Sequence, residues 1–161
     1  MNSLSQPNSQ ALSHTDADGN LRMVDVADKP TSIRTARAEG FITLNASVRQ
    51  LVAEDRMKKG AVGLTAELAG IAAAKECAHL IPLCHNIVLE KIDVRFTLTD
   101  TGAHVTSFVK SVGHTGAEME ALTAVSVALL TVYDMCKAVD KEMVLSEIHL
   151  IEKHKEPILC A

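Results

Sequence analysis

The chain has 161 residues and 47% hydrophobic content, enough for one domain with a real core and too little to favour a second. Its net charge is -4, of which the segment to Asn20 supplies -2 through Asp16 and Asp18, so the remainder is close to neutral and holds no broad attraction for phosphate backbones. Three Phe, one Tyr and no Trp leave few platforms on which bases could stack, which argues against a nucleic-acid reader.

Residues 1–20, MNSLSQPNSQALSHTDADGN, are polar and read as a flexible arm. No stretch joins a basic start, an apolar run and a small-residue cleavage site, so a cytoplasmic protein without a membrane partner is expected. Cys77, Cys84, Cys136 and Cys160 form no CxxC pair and suit reduced thiols better than a disulfide framework.

In chain order, MVDV and then TSIRTARAEGFITL carry β-branched residues with partial alternation and predict strands. ASVRQLVAED predicts a short helix with Asn45 as its N-cap, and EDRMKKG a charged loop. Leu64 to His79 places Leu64, Leu68, Ile71, Ala72 and Cys77 at helical spacing, with six alanines in the segment, and predicts a helix packed closely on something flat. IPLCHNIV follows as a connection. KIDVRFTLT alternates Ile92, Val94, Phe96 and Leu98, a turn region containing Thr-Gly follows, and HVTSFVKSV alternates again, which predicts a hairpin. Thr115 to Met143 predicts a long helix. Val144 to Glu152, with Val144, Ile148 and Leu150 on one face, predicts a last strand. Residues 21–155 then form one α+β domain of ferredoxin-like order, βαββαβ, with an antiparallel sheet and two main helices on one face. An N-terminal strand and a short inserted helix are added to it, and residues 156–161 form a short tail. The uncovered sheet face and the small residues of the long helix predict a homo-oligomer.

The long helix is where chemistry is expected. From Ala121 to Val132 it carries no charge, too short a stretch to cross a bilayer, so it should be packed inside protein with its charged ends at an interface or pocket. Asp134 and Lys137 lie three apart on one face and either hold each other's charge at the surface or share a proton in a site. Glu118 fits a capping box with Thr115, in which its carboxylate closes back on the N-cap amide. Glu120 shares the angular face of Asp134, yet fourteen residues of helix separate them by about 21 Å, so one helix cannot bring both to one atom. If both meet ligand, the ligand is long or different subunits supply them.

His85, in IPLCH, reads as a polar loop histidine at a pocket edge, able to donate to phosphate or shuttle a proton near neutral pH. A zinc reading of Cys77, His79, Cys84 and His85 lacks the CxxC hairpin common in structural sites, and no metal is expected there. Lys58 and Lys59 before Gly60 form either a solvated basic loop or an arm that carries a lysine over an anionic substrate. Arg34 and Arg37 face opposite ways on a strand, so one of them faces a site. Arg34, Arg37, Arg49, Arg56, Lys58 and Lys59 all fall in the first half of the body, a group of cations that a small polyanion could meet.

IPLCH, TGAEMEALTA and YDMCKA, in this order and together with MVDV, RTARAEGF and AGIAAAK, resemble the molybdenum cofactor biosynthesis protein C (MoaC) family over about Met23 to Lys153. The resemblance implies a ferredoxin-like fold and a homo-hexamer, a trimer of dimers, with active sites at subunit interfaces. It also implies a lyase, cyclic pyranopterin monophosphate synthase, acting on a cyclised dihydro-GTP with loss of pyrophosphate in the first phase of molybdopterin synthesis. Carried over by position, it implies Asp134, Lys137 and Lys59 as catalytic. Leu83, Cys84 and His85, then Met119 and Glu120, with Arg34, Glu118 and Lys153 around them, would bind a small pterin or nucleotide substrate. No cofactor is required by it; a divalent ion such as Mg is an optional bridge between phosphates, and no carboxylate cage for one is visible.

The chain departs from the family at three places. Gly113, His114, Thr115 and Gly116 stand where members usually read Gly-Lys-Thr-Gly; Lys59, Gly60, Ala61 and Val62 stand for Lys-Gly-Asp-Val; and HKEPILCA replaces a Gly- and Lys-rich tail. A histidine at 114 would make one phosphate-facing charge absent or pH-dependent. Two rival classes stay open beside the enzyme: a catalytically weak paralogue that binds pterin or nucleotide as a sensor, and a structural assembly module.

Overall fold

The computed structural model describes residues 18–158, so most of the arm, together with Cys160 and its neighbours, lies outside the described residues. The elements are β1 (Ser32–Thr43), α1 (Ala46–Ala53), α2 (Val62–Lys75), α3 (Cys77–Leu80), β2 (Leu89–Leu98), β3 (Gly102–Gly113), α4 (Glu118–Cys136) and β4 (Leu145–Pro157). The strands form one mixed α+β layer arrangement: a four-stranded sheet in the order β2-β3-β1-β4, every neighbouring pair antiparallel, with helices against it.

The alternation of β1 decides its faces. Ser32, Ala36, Ala38, Gly40 and Ile42 are buried toward α4, whereas Arg37 and Thr43 are exposed on the other side. The hairpin of β2 and β3 forms as its pattern predicts, with Leu98 opposite Ala103 and Thr99 closing on Gly102. Helix α4 lies over β1, β3 and β4, and α2 packs between α4 and β2. The core joins Val105 and Val109 of β3 to Ala121, Val125, Ala128, Leu129 and Val132 of α4, all fully buried. Burying one such Val or Leu is worth about 1.5–3 kcal/mol against leaving it in water.

Small residues let the two main helices meet. A Cβ on Gly70 would stand 2.8 Å from the carbonyl oxygen of Ala124, so α2 approaches α4 backbone to side-chain stub. The stripe of small residues on α4, which the sequence offers to another subunit, is therefore used within the chain. Helix α4 is long and apolar enough to cross a membrane by length and composition, but ten of its residues are buried in this packing, Glu120 and Leu129 among them.

Several expectations change. MVDV forms no strand: residues 22–26 are irregular, with a single bridge at Leu21, and the segment is held by His85 rather than by a ladder. Met23 and Asp25 of the four are exposed, while Val24 and Val26 are half-buried and line a cleft instead of pairing in a sheet. The predicted helix Leu64 to His79 is broken at Glu76, whose backbone leaves helical geometry and closes α2 on Ala72 and Ala73 before α3 starts. Helix α4 stops at Cys136 rather than Met143, with Lys137 as its C-cap. In β4 the alternation is interrupted: Glu39 faces His149 but Phe41 faces Ser146, a bulge with Glu147 at φ 55°. Leu145 and Leu150 consequently share the core side, while Val144 precedes the strand and is exposed. Strand β4 continues to Pro157, opposite Ser32, two residues into the stretch that reads as tail.

The face of the sheet away from α4 carries paired charge rather than apolar surface. The Arg37 guanidinium lies 4.7 Å over the Phe108 ring and bonds Glu152 at 3.0 Å, and Glu39 takes His104 at 3.0 Å and His149 at 3.2 Å.

Candidate active site

Two groups of ionisable residues stand at opposite ends of α4. At its C-terminal end Asp134 holds two ammonium groups, Lys59 at 2.6 Å and Lys137 at 2.7 Å. Lys137 is the helix C-cap, one turn beyond Asp134. Lys59 arrives from the loop between α1 and α2, which is pinned by the buried Met57 and turned by Gly60 at φ 93°. Its ammonium also donates to the Asp134 carbonyl at 2.9 Å. That carbonyl is among the last four of the helix and has no partner within it, so both lysines sit where the helix dipole favours cations. The Lys137 ammonium, then that of Lys59, pulls the Asp134 carboxyl down to about 2, and Asp134 in turn raises Lys137. All three side chains are about half exposed. At neutral pH they are one carboxylate and two ammonium groups, a net positive charge open to solvent.

At the N-terminal end a cleft of about 450 Å³ is lined by Leu83, Cys84 and His85 on one side and Glu118, Met119 and Glu120 on the other, with Thr115, Gly116 and Lys29 between them. His85 donates from Nε2 to the carbonyl of Val24 at 2.7 Å, which leaves Nδ1 for other partners. Glu120 is 4% exposed. Burial raises its carboxyl above the usual range, and its own backbone N–H and the Cys77 thiol only partly offset this. Beneath it, Cys77 is pushed up to about 11 by burial and lies 3.5 Å from the Thr123 hydroxyl.

Glu118 is not a capping-box residue. Ala117 is the N-cap, with no side-chain bond, and the Glu118 carboxylate bonds Lys153 of β4 at 2.8 Å. Burial pushes Glu118 up, but Lys153, its own backbone N–H and Arg34 outweigh this and hold it below its ordinary value. Arg34 is on the helix side of β1, fixed by Ser32 Oγ at 2.7 Å and the His114 carbonyl at 3.2 Å, while Arg37 faces the other way. Only Arg34 of the two therefore reaches this region. The six cations of the first half do not gather: Arg49 caps Leu44, Arg56 pairs with Glu54, and Lys59 goes to Asp134.

The residues predicted from sequence thus fall into two sets. Arg34, Leu83, Cys84, His85, Glu118, Met119, Glu120 and Lys153 surround one end of α4, and Lys59, Asp134 and Lys137 form the other. Sequence reasoning missed Lys29, whose only signal is an isolated cation before Pro30, and it missed the support that Thr123 and Cys77 give Glu120. The ring of His114 bonds the carbonyl of Lys29, and His114 is not among the residues that line the main cleft. Among the described residues no group of three or more His, Cys, Asp or Glu is placed to hold a metal ion. His79 instead pairs with Glu76 at 2.7 Å on the surface.

IPLCH and TGAEMEALTA line the cleft at one end of α4, and YDMCKA carries Asp134 and Lys137 at the other. The model of the MoaC family matches residues 23–156, nearly the whole of the described structure, and the chain belongs to that family.

Proposed function

We propose that the protein is a cyclic pyranopterin monophosphate synthase, a lyase converting 3′,8-cyclo-7,8-dihydro-GTP to cyclic pyranopterin monophosphate with release of pyrophosphate. Family membership gives it a role in molybdenum cofactor biosynthesis; the reaction within that role is our reading. One observation carries it: Asp134 holding Lys59 and Lys137 as two exposed ammonium groups.

The reaction has two needs. Rebuilding the purine-derived ring requires proton transfers, and closing a cyclic phosphate requires a ribose hydroxyl to displace pyrophosphate. The ammonium groups suit both, as proton donors and as neutralisers of charge on the leaving group. Asp134 keeps them charged and aimed. At the cleft, Glu120 is a buried carboxyl whose proton burial holds more tightly than usual, which suits it to proton exchange with a ligand. His85 offers the second proton-exchanging group.

The two poles are separated by about 21 Å along α4, so a complete site is assembled from different copies of the chain. We take the working unit to be a homo-hexamer, a trimer of dimers. Exposed Leu64 and Leu68 on α2 and Leu130 on α4, each more than half exposed, support an outer helical surface that meets another copy. The ferredoxin-like reading belongs to the same proposal; the βαββαβ order, with α1 and α3 as additions between the first two strands, supports it.

The test is to incubate the purified protein with 3′,8-cyclo-7,8-dihydro-GTP and assay pyrophosphate. Stoichiometric release that disappears in Asp134→Asn is the expected result. Tight binding without turnover would make it a sensor, and neither binding nor turnover a structural module; both would overturn the proposal.

A further inference from the structure

Among the described residues Glu120 is the only Asp or Glu that is buried, and it has no ion pair. The cations near the first turn of α4 serve its neighbour instead: Lys153 bonds Glu118 at 2.8 Å, and Arg34 adds to the lowering of the same carboxyl. What meets Glu120 is a thiol. The break at Glu76 ends α2 and begins α3, which packs against α4 and carries Cys77 into the interior. The Cys77 Sγ lies 3.5 Å from the hydroxyl of Thr123, itself buried. Thr123 follows Glu120 by three residues on α4, a neighbouring position on the same helical face. The thiol therefore sits between a hydroxyl and a carboxyl, and it acts on Glu120 as a hydrogen-bond donor. The other titratable groups around Glu120 are Glu118 on its own helix, Cys84 and His85 on the connection to β2, and Lys29 before β1. Of these, Glu118 repels its charge, and His85 spends Nε2 on the carbonyl of Val24.

A buried carboxyl that gains and loses a proton needs a partner suited to both forms, because a buried polar group left unpaired is costly. An ammonium suits only the ionised form, and that is what Glu118 has in Lys153. A thiol and a hydroxyl each donate and accept. We propose that Cys77 is a positioning residue for Glu120, forming with Thr123 a reversible hydrogen-bond chain that serves the buried carboxyl with or without its proton. When Glu120 is ionised, the Thr123 O–H donates to Sγ and the S–H donates to the carboxylate. When Glu120 is protonated, its O–H donates to Sγ and the S–H turns to the Thr123 oxygen. Only two X–H bonds rotate; no proton leaves sulfur. Burial pushes the Cys77 thiol up to about 11, so it stays protonated across the neutral range and does not compete with Glu120 as an acid. That the proton passes between Glu120 and a substrate rests on the proposed function, whereas the chain itself rests on how α3 packs against α4.

The experiment is carbon-detected NMR titration of the Glu120 carboxyl in the full-length protein without ligand, joined to the pH profile of pyrophosphate release. In Cys77→Ala the Glu120 midpoint should rise, because the ionised form loses its donor. Cys77→Ser, which keeps a donor and acceptor at that place, should bring the midpoint back to that of the parent or below it. Thr123→Val, the same shape without the hydroxyl, should raise it as Cys77→Ala does, and it keeps the test open should Cys77→Ala melt too low to titrate. Cys136→Ala, which removes a buried thiol at the far end of α4, should leave it unchanged. Pyrophosphate release in Cys77→Ala should fall about tenfold in kcat with KM little changed, less than the loss of an acid–base group itself would cost. Its limb assigned to Glu120 should move to higher pH, and Cys77→Ser should restore both. Equal Glu120 midpoints in the parent, Cys77→Ala and Thr123→Val overturn the proposal, and so does a midpoint in Cys77→Ser as high as in Cys77→Ala, which would make the effect one of lost volume. Midpoints that move as expected in a protein that releases no pyrophosphate would sink the synthase reading and leave the chain standing.

Discussion

Lys59 and Asp134, 75 positions apart in sequence, are joined twice: the ammonium reaches the carboxylate at 2.6 Å and the carbonyl of the same residue at 2.9 Å. These two hydrogen bonds fix the loop before α2 against the end of α4 and leave Lys137 on the remaining carboxylate oxygen. Asp134→Asn keeps the shape and removes the charge that gathers both lysines. Pyrophosphate release should fall by about a hundredfold or more, the scale on which positioned proton donors act. The thermal midpoint should hardly move, because exposed ion pairs of this kind contribute little to folding. A large drop in midpoint with modest loss of turnover would assign the trio a structural role instead.

The same trio has a pH signature. Asp134 is held at about 2, below its ordinary 3.8, by Lys137 first and Lys59 second. A depressed carboxyl stabilises the folded state above the unfolded value and loses that contribution as pH falls from about 3.8 through 2, so the ion pairs persist throughout the neutral range. Carbon-detected NMR titration of the Asp134 carboxyl should show a midpoint near 2 in the parent and a clear upward move in Lys137→Met. An unchanged midpoint in that variant would remove Lys137 as the principal partner.

Glu120 has the opposite sign. Burial raises its carboxyl, so the folded chain holds this proton more tightly than the unfolded one, and stability falls as pH rises from the unfolded value of 4.5 through the folded one. Glu120→Gln should therefore raise the melting midpoint at pH 7 by about 2 °C, the scale of a fraction of a kcal/mol to 1 kcal/mol in a domain of this size. Turnover should fall in the same variant. A gain in stability accompanied by lost activity is the behaviour of a group kept for function against the preference of the core.

Much of this architecture is written in local patterns, and what is not follows from contacts between distant segments. Asn45 is a readable cap because the bond it makes is to Val48, three residues on. The hairpin of β2 and β3 is readable because alternation and a short turn fix its register. The bulge at Glu147 is not, since it depends on how β4 must bend past Gly40 and Ile148 to lie on β1. Glu118 shows the same limit at the site. Its spacing from Thr115 suits a capping box, but Lys153, 35 residues away, offers an ammonium, and a charged partner wins over a backbone amide. Asp134 and Lys137 were legible as a pair from helical spacing, whereas Lys59 joined them only through resemblance. Lys29 carried no local signal, because only the folded loops place it at a cavity.

The helix contact at Gly70 gives a prediction about stability alone. A methyl there would stand 2.8 Å from the Ala124 carbonyl and 3.1 Å from Val94, so Gly70→Ala must push α2 away from α4 despite the better helix propensity of alanine. The overpacking should cost about 1–3 kcal/mol, seen as a lower urea midpoint with unchanged slope. A more stable Gly70→Ala would mean that the two helices are freer to separate than their packing indicates.

The division of the site along α4 yields the most demanding prediction. Glu120 and Asp134 are separated by about 21 Å on a straight helix, a distance that no side-chain movement closes. A site that uses both must draw them from two chains, and in a mixed oligomer each pair of neighbours then presents one of several combinations. Asp134→Asn and Glu120→Gln proteins, each inactive alone, should regain part of the parent activity when denatured together and refolded as a mixture. If each active site joins one Asp134 pole to one Glu120 cleft, an equal mixture leaves one site in four with both native residues, and activity should approach about a quarter of the parent, since both substitutions keep the parent's side-chain shapes and the two proteins then assemble at random. Activity that stays at the level of the single variants, with size-exclusion chromatography showing intact mixed oligomers, would place both residues in one chain's site or remove one of them from the chemistry.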